Sequence, residues 1–238
     1  MELIVVGAGP GDPELITLKA INALKRADAI LYDNLANKVL LDYKKEGCEL
    51  VYVGKTPYQK YNSQDEINAL IKHYADRHEV IVRLKGGDPF IFGRGMEEIM
   101  FAKSYGMKTS YIPGITSVLA IGLSDIPLTH RGVSEGFWVI TGTKKDGSLS
   151  RDIELALQSK TTFVIYMGMK NLPFIVEEAI KHGKPNTPAA IIQNASLPTM
   201  RMVKGTIVEL EELSKQHGIT HPAIIVIGDV VDLKRRAW

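Results

Sequence analysis

Short runs rich in Val, Ile and Leu recur along the chain, and between them lie stretches with helical apolar spacing. The first five runs fall at residues 3–6, 29–32, 50–53, 80–84 and 109–112. A second five fall at 137–141, 162–166, 189–193, 203–207 and 223–227. Each has the length and β-branched content of a buried strand. Ser63-Gln64-Asp65-Glu66 reads as a capping box opening a helix whose apolar face is Ile67, Leu70, Ile71 and Tyr74. Another helix is expected to start near Met96. Strands alternating with helices throughout predict an α/β fold. In the later half the runs at 203–207 and 223–227 flank only a short helix, so antiparallel strands are expected there. The softest boundary is Pro113-Gly114, with a second at 144–150; the chain is read as two α/β domains, 1–113 and 114–238.

Composition narrows the function classes. A chain of 238 residues, 45% hydrophobic and 24% charged, is an ordinary globular protein large enough for a substantial core. A net charge of +2 argues against a general nucleic-acid binder but leaves room for a local basic pocket. Lys234-Arg235-Arg236 reads as a solvated end. Cys48 is the only cysteine, so no internal disulfide and no Cys-based metal site is available, and a reducing compartment follows. The opening Met1-Glu2-Leu3-Ile4 has no basic leader, and no apolar run approaches the roughly 20 residues of a membrane span. The expectation is a soluble, cytoplasmic protein with no membrane or nucleic-acid partner.

The densest chemistry is the run Arg83-Leu84-Lys85-Gly86-Gly87-Asp88-Pro89-Phe90-Ile91-Phe92-Gly93-Arg94-Gly95. It leaves a buried strand through bare glycines, where a backbone can approach a small ligand closely. It then adds an acid and a cation just before a helix. Arg83 and Lys85 share one face of that strand, and Lys85 can simply pair with a neighbouring acid. Gly7-Ala8-Gly9-Pro10-Gly11-Asp12 resembles a dinucleotide fingerprint, but Asp12 stands where the third glycine belongs and Pro10 removes an amide. A nicotinamide oxidoreductase is therefore a remote alternative, and a plain strand-to-helix turn would also need glycines here. Asp33 and Lys55 each end a strand, where α/β proteins place ligands. Asp33 also suits a cap before Asn34-Leu35, and Lys55 a solvated loop. His130 could bond a carboxylate or be a satisfied structural histidine.

Seven segments, in order, resemble the uroporphyrinogen-III C-methyltransferase group of the tetrapyrrole methyltransferases. They are the run from Arg83 to Gly95, Val6-Gly7-Ala8-Gly9-Pro10-Gly11-Asp12-Pro13, Tyr32-Asp33, Val53-Gly54-Lys55, Pro113-Gly114-Ile115-Thr116-Ser117, Ile126-Pro127-Leu128-Thr129-His130-Arg131 and Tyr166-Met167-Gly168. Together they cover nearly the whole chain. The resemblance implies a non-Rossmann pair of α/β domains with the ligand in the cleft between them. It implies a homodimer that uses S-adenosyl-methionine, and no metal, to methylate uroporphyrinogen III twice, giving precorrin-2 for siroheme or cobalamin. It implies Asp33 as proton acceptor and Lys55 as proton donor. For the tetrapyrrole it implies Arg94, Glu97, His130 and Arg131. For the cofactor it implies Pro10, Gly86, Gly87, Asp88, Ile91, Thr116, Ser117, Met167 and Ala195.

The chemistry agrees with these residue types. A methyl on a sulfonium is already activated, so the protein must align the reacting atoms at about 3–3.5 Å and help remove a proton. A substrate with eight carboxylates calls for Arg and Lys forks in a cavity. Asp88 can accept from the methionine ammonium, and Met167 can pack on adenine or simply fill core. Thr56 and Met96 depart from the pattern and bear on substrate affinity rather than reaction class. Methyl transfer alone is expected, without fused dehydrogenase or chelatase activity. Alternatives are a sister enzyme acting on a later corrin precursor and a tetrapyrrole carrier without turnover.

Overall fold

The structure, a computed structural model, describes residues 1–54 and 63–235. Lys55, Thr56 and Arg236 lie outside the described residues. Two compact units divide the chain, Met1–Thr116 and Ser117–Trp238.

Unit 1 is a five-stranded parallel sheet. Its strands are β1 (Glu2–Gly7), β2 (Ala29–Tyr32), β3 (Glu49–Tyr52), β4 (Val80–Lys85) and β5 (Lys108–Ile112), in the order β3-β2-β4-β1-β5. Helix α1 (Leu18–Arg26) packs on one face over Ile4, Val6, Ile30, Val82 and Leu84. Helices α2 (Gln64–Ala75) and α3 (Gly95–Ser104) cover the other, over Leu3, Val5, Leu31 and Ile81. Alternate residues of β1, β2 and β4 thus feed two separate apolar layers, which is why those runs read as continuously apolar. The expected capping box is present: Ser63 Oγ accepts from Glu66 N at 3.2 Å, and Glu66 Oε2 accepts from Ser63 N. Unit 1 extends through Thr116 because Gly114 N donates to Asp88 Oδ2 at 3.0 Å.

Unit 2 has strands β6 (Phe137–Thr141), β7 (Thr162–Tyr166), β8 (Pro188–Gln193), β9 (Arg201–Thr206) and β10 (Ala223–Ile227). Their order is β6-β7-β10-β8-β9; only β6 and β7 are parallel. A short α4 (Ser117–Ala120) lies on one face, and α5 (Asp152–Gln158), α6 (Leu172–Lys181) and α7 (Leu210–Gln216) lie on the other. The antiparallel strands expected in the later half are present. Several strand ends move by one residue, and the largest difference is at β9, which begins at Arg201, while Ile207, expected in the strand, starts a 3-10 turn. Thr206 and Glu209 form a capping box there, and Glu209 Oε2 accepts from Thr206 N at 2.7 Å, ending the strand early.

Candidate active site

In unit 1 the chain leaves β1 toward α1 on one face and leaves β4 toward α3 on the opposite face. β1 and β4 are neighbours, so their carboxyl ends flank the crevice where open α/β sheets bind ligands. Both glycine motifs meet there. Gly87 N donates to Gly9 O at 2.7 Å, Gly9 N donates to Gly87 O at 3.2 Å, and Ala8 N donates to Lys85 O at 2.8 Å. Gly7 and Gly114 are required by contact: a Cβ on Gly7 would stand 2.4 Å from Gly114 N, and one on Gly114 would stand 2.2 Å from Gly87 O. Gly86 packs on residue 35, where its Cβ would lie 2.4 Å from Leu35 Cβ. Pro10 is half-buried beside this pair of loops.

Strand order separates this crevice from a dinucleotide site. β4 lies between β1 and β2, so Asp33 stands two strand spacings, about 10 Å, from the strand that carries Gly7. At the amino end of α1, Thr17 Oγ already takes one amide, accepting from Ala20 N at 3.1 Å. A dinucleotide here would lack the adjacent ribose acid it needs.

Asp88 braces the loop after β4. It is 7% exposed. Its Oδ2 accepts from Tyr111 Oη at 2.6 Å and from Gly114 N; its Oδ1 accepts from Phe90 N at 2.8 Å. Burial, then the bond to Asp88, pushes the Tyr111 phenol well above its ordinary pKa and keeps it a donor. Phe90 stacks on the Tyr111 ring with centroids 3.9 Å apart. Ile91 follows, 41% exposed. Arg94 has φ 59° and forms a two-point pair with Glu97, Nε to Oε1 at 2.9 Å and Nη2 to Oε2 at 2.5 Å. A carboxylate ligand would compete with Glu97 for that fork.

Asp33 is held at both oxygens: Oδ1 accepts from Leu35 N at 3.1 Å, and Oδ2 from Arg83 Nη2 at 3.1 Å. The turn-capping reading and the site reading therefore coexist in one side chain. Lys85 pairs with Glu98 at 2.8 Å, as its place in the strand allowed. Burial, then the neighbouring Arg83, lowers the Lys85 pKa. Lys55, the expected proton donor, lies outside the described residues.

Unit 2 contributes its own set. Ser117 Oγ and Val118 N both donate to Tyr166 Oη, at 3.3 and 2.9 Å, so the start of α4 already has an acceptor. Thr116, the last residue of unit 1, is half-buried. Met167 is no core filler: it follows directly on β7, at φ 54° and 51% exposed. Thr143 Oγ1 donates to the Met167 carbonyl at 2.6 Å, and Asn171 Nδ2 donates to Thr143 Oγ1 at 3.1 Å. Ala195 buries its methyl in the apolar layer of Val118, Ile192 and Ile224, which leaves its backbone to meet a ligand. Asn194 and Ser196 on either side have φ 52° and 75°. His130 sits in a tight turn bridged to Ser134, with Nδ1 3.0 Å from Arg131 O, and Arg131 is exposed at the tip.

Glu98, Tyr111 and Thr143 escaped the motifs because they act through side chains that meet only in three dimensions, and Tyr166 stood in a motif without its own role being legible. Only Glu98 had a signal: two cations on one face of a buried strand demand a buried acid. Among the described residues no cluster of three or more His, Cys, Asp or Glu side chains is disposed to hold a metal ion. No helix among them is long and apolar enough to cross a membrane.

The residues present fit the cofactor implied by the resemblance. Asp88 Oδ1, with one backbone donor, keeps acceptor capacity for an ammonium. Within unit 1, half-exposed Ile91 offers apolar surface to such a ligand; within unit 2, half-exposed Met167 does the same.

The sequence model described as tetrapyrrole (corrin/porphyrin) methylases matches residues 2–211. The uroporphyrinogen-III C-methyltransferase of Methanocaldococcus jannaschii is 42% identical over 235 residues, covering 98% of this chain and 97% of that protein. The siroheme synthase of Thiobacillus denitrificans is 40% identical over 240 residues, and this chain spans half of its length. The crystal structure of the uroporphyrin-III C-methyl transferase of Thermus thermophilus complexed with S-adenyl homocysteine superposes with a TM-score of 0.84. Its identity is 38%, over 97% of this chain and 99% of that one.

Proposed function

The chain belongs to the tetrapyrrole (corrin/porphyrin) methylase family, and from that premise we propose that it is the C-methyltransferase that converts uroporphyrinogen III to precorrin-2. The observation that carries this reading is the 42% identity, over nearly the full length of both chains, to a uroporphyrinogen-III C-methyltransferase. The product would supply siroheme or cobalamin, and the enzyme would work as a cytoplasmic homodimer.

S-adenosyl-methionine, when bound, supplies a methyl group already activated on a sulfonium. The chain must then bind, orient and manage one proton per transfer. In each round a carbon–methyl bond forms, the sulfur–methyl bond breaks with its electrons left on sulfur, and the substrate gives up a proton. Asp33 is proposed to accept that proton and Lys55 to act as donor. The proposed cofactor contacts are Pro10, Gly86, Gly87, Asp88, Ile91 and Thr116 in unit 1 and Ser117, Met167 and Ala195 in unit 2. Arg94 and Arg131 are proposed to pair with substrate carboxylates, with Glu97 holding the Arg94 fork and His130 adding a hydrogen bond.

Anaerobic incubation with uroporphyrinogen III and S-adenosyl-methionine, followed by mass spectrometry, tests the reading. A gain of two methyl groups is expected. No gain with S-adenosyl-homocysteine still bound would move the substrate to a later corrin precursor. No gain and no cofactor binding would overturn the assignment.

A further inference from the structure

Unit 1 encloses a line of four charges that the methyl-transfer scheme uses only at one end. Glu98, on α3, is fully buried. Its Oε1 accepts from both Lys85 Nζ, at 2.8 Å, and Arg83 Nε, at 3.3 Å. Its Oε2 is buried without a hydrogen-bond partner among the described residues. Arg83, 2% exposed, is locked further: Nη1 donates to Leu84 O at 2.7 Å and to Leu31 O at 3.3 Å, and Nη2 reaches Asp33. The partners of this guanidinium, Glu98, Asp33 and the Leu31 and Leu84 carbonyls, are all internal, so it is a strut and not a substrate fork. Asp33 is the only member open to solvent, with 20% of its side chain exposed.

The sums explain why the line needs both ends. Two cations and two carboxylates cancel. Removing one partner of such a buried set leaves an uncompensated charge, whereas a set kept only for stability is replaceable by apolar side chains. Glu98 has no path to a ligand of its own. The planar fork of Arg83 transmits its position, because the same guanidinium grips Glu98 through Nε and Asp33 through Nη2.

We infer that Glu98 is a positioning residue for the methyl transfer, setting through Arg83 the orientation of the Asp33 carboxylate at the crevice edge. This rests on the proposed function and adds to it a residue that touches neither substrate nor cofactor.

The test is a double-mutant cycle on the full-length enzyme, read by methyl transfer to uroporphyrinogen III and by S-adenosyl-homocysteine binding. Glu98→Gln is expected to lower kcat by about 10–100-fold, the scale of a misplaced reacting group, while the S-adenosyl-homocysteine Kd and the KM for S-adenosyl-methionine stay within about twofold. In an Asp33→Asn background, followed over long incubations, the same change should cost nothing further, because the residue it positions is already disabled. Should Glu98→Gln not fold, Arg83→Lys carries the test: it keeps the charge and loses the fork, and the same kcat loss with intact S-adenosyl-homocysteine binding is expected. Wild-type kcat in either variant, or an equal additional loss in the Asp33→Asn background, overturns the inference alone. A wild-type enzyme that methylates nothing overturns the functional reading, and this inference with it.

Discussion

Tyr111 shows how a single side chain can hold a loop. Its hydroxyl donates to the buried Asp88, whose other bonds tie down Phe90 N and Gly114 N. Tyr111→Phe should therefore cost about 1 kcal/mol at neutral pH, or roughly 2–4 °C in Tm for a chain of this size. The pH dependence has a defined sign. A phenol whose folded pKa is raised contributes stability that is fully present below the unfolded value of about 10 and declines above it. Thermal melts of wild type and Tyr111→Phe should converge as pH rises past about 10; a constant gap would deny the coupling. Arg131, exposed at the tip of its turn, makes the opposite kind of prediction. If it meets a substrate carboxylate, Arg131→Ala should weaken tetrapyrrole binding by about 10–100-fold, the worth of a charged hydrogen bond. S-adenosyl-homocysteine binding should stay nearly intact in a calorimetric titration, and equal loss of both would remove the assigned role.

At the scale of elements, the crevice depends on β1, β4 and the segment after β5 approaching at backbone distance. Gly7, Gly87 and Gly114 leave no room for a methyl group between them. Gly114→Ala would put a Cβ 2.2 Å from the Gly87 carbonyl, and neither neighbour has a flexible end that can yield. Overpacking of this kind costs about 1–3 kcal/mol, so a fall of roughly 2–12 °C in Tm is expected. S-adenosyl-homocysteine affinity should fall with it, because the loop that carries Asp88 moves. Gly122→Ala is the control, because nothing lies within 4 Å of its Cβ and its φ is not left-handed, so its melt should stay near wild type. A melt in which Gly114→Ala matches wild type would show that the loops part freely.

For the molecule as a whole, each unit has its own sheet and its own apolar layer on both faces. Stability on that basis belongs to the cores, and ligand binding adds to it by mass action. S-adenosyl-homocysteine at one hundred times its Kd should stabilise the folded chain by about 2.7 kcal/mol. For a chain of this size that is a rise of roughly 5–11 °C in Tm. Differential scanning fluorimetry over a concentration series checks it; a flat series would deny cofactor binding. The same series on Asp33→Asn should be unchanged, since Asp33 is proposed to handle a proton and not the cofactor.

The sequence alone determined what rests on local pattern. The apolar runs located all ten strands, β9 with its ends shifted, and they did so most closely for strands such as β1, β4 and β10, because a strand buried on both faces needs a continuous apolar segment. The capping box at Ser63 and the helix start at Gly95 were legible because their signals span only three or four residues. The glycine motifs pointed to the crevice loops, and the family emerged from their order along the chain. The tertiary structure alone decided which side chains meet across long separations. That β4 lies between β1 and β2, which removes the dinucleotide reading, is a matter of strand order and is written in no local segment. The bond from Arg83 to Asp33 spans fifty positions, and that from Tyr111 to Asp88 spans twenty-three. Arg83 and Lys85 call for a buried acid, but only the packing of the helix against β4 identifies that acid as Glu98. Periodicity reports which face a residue occupies; only the packed fold reports what stands opposite it.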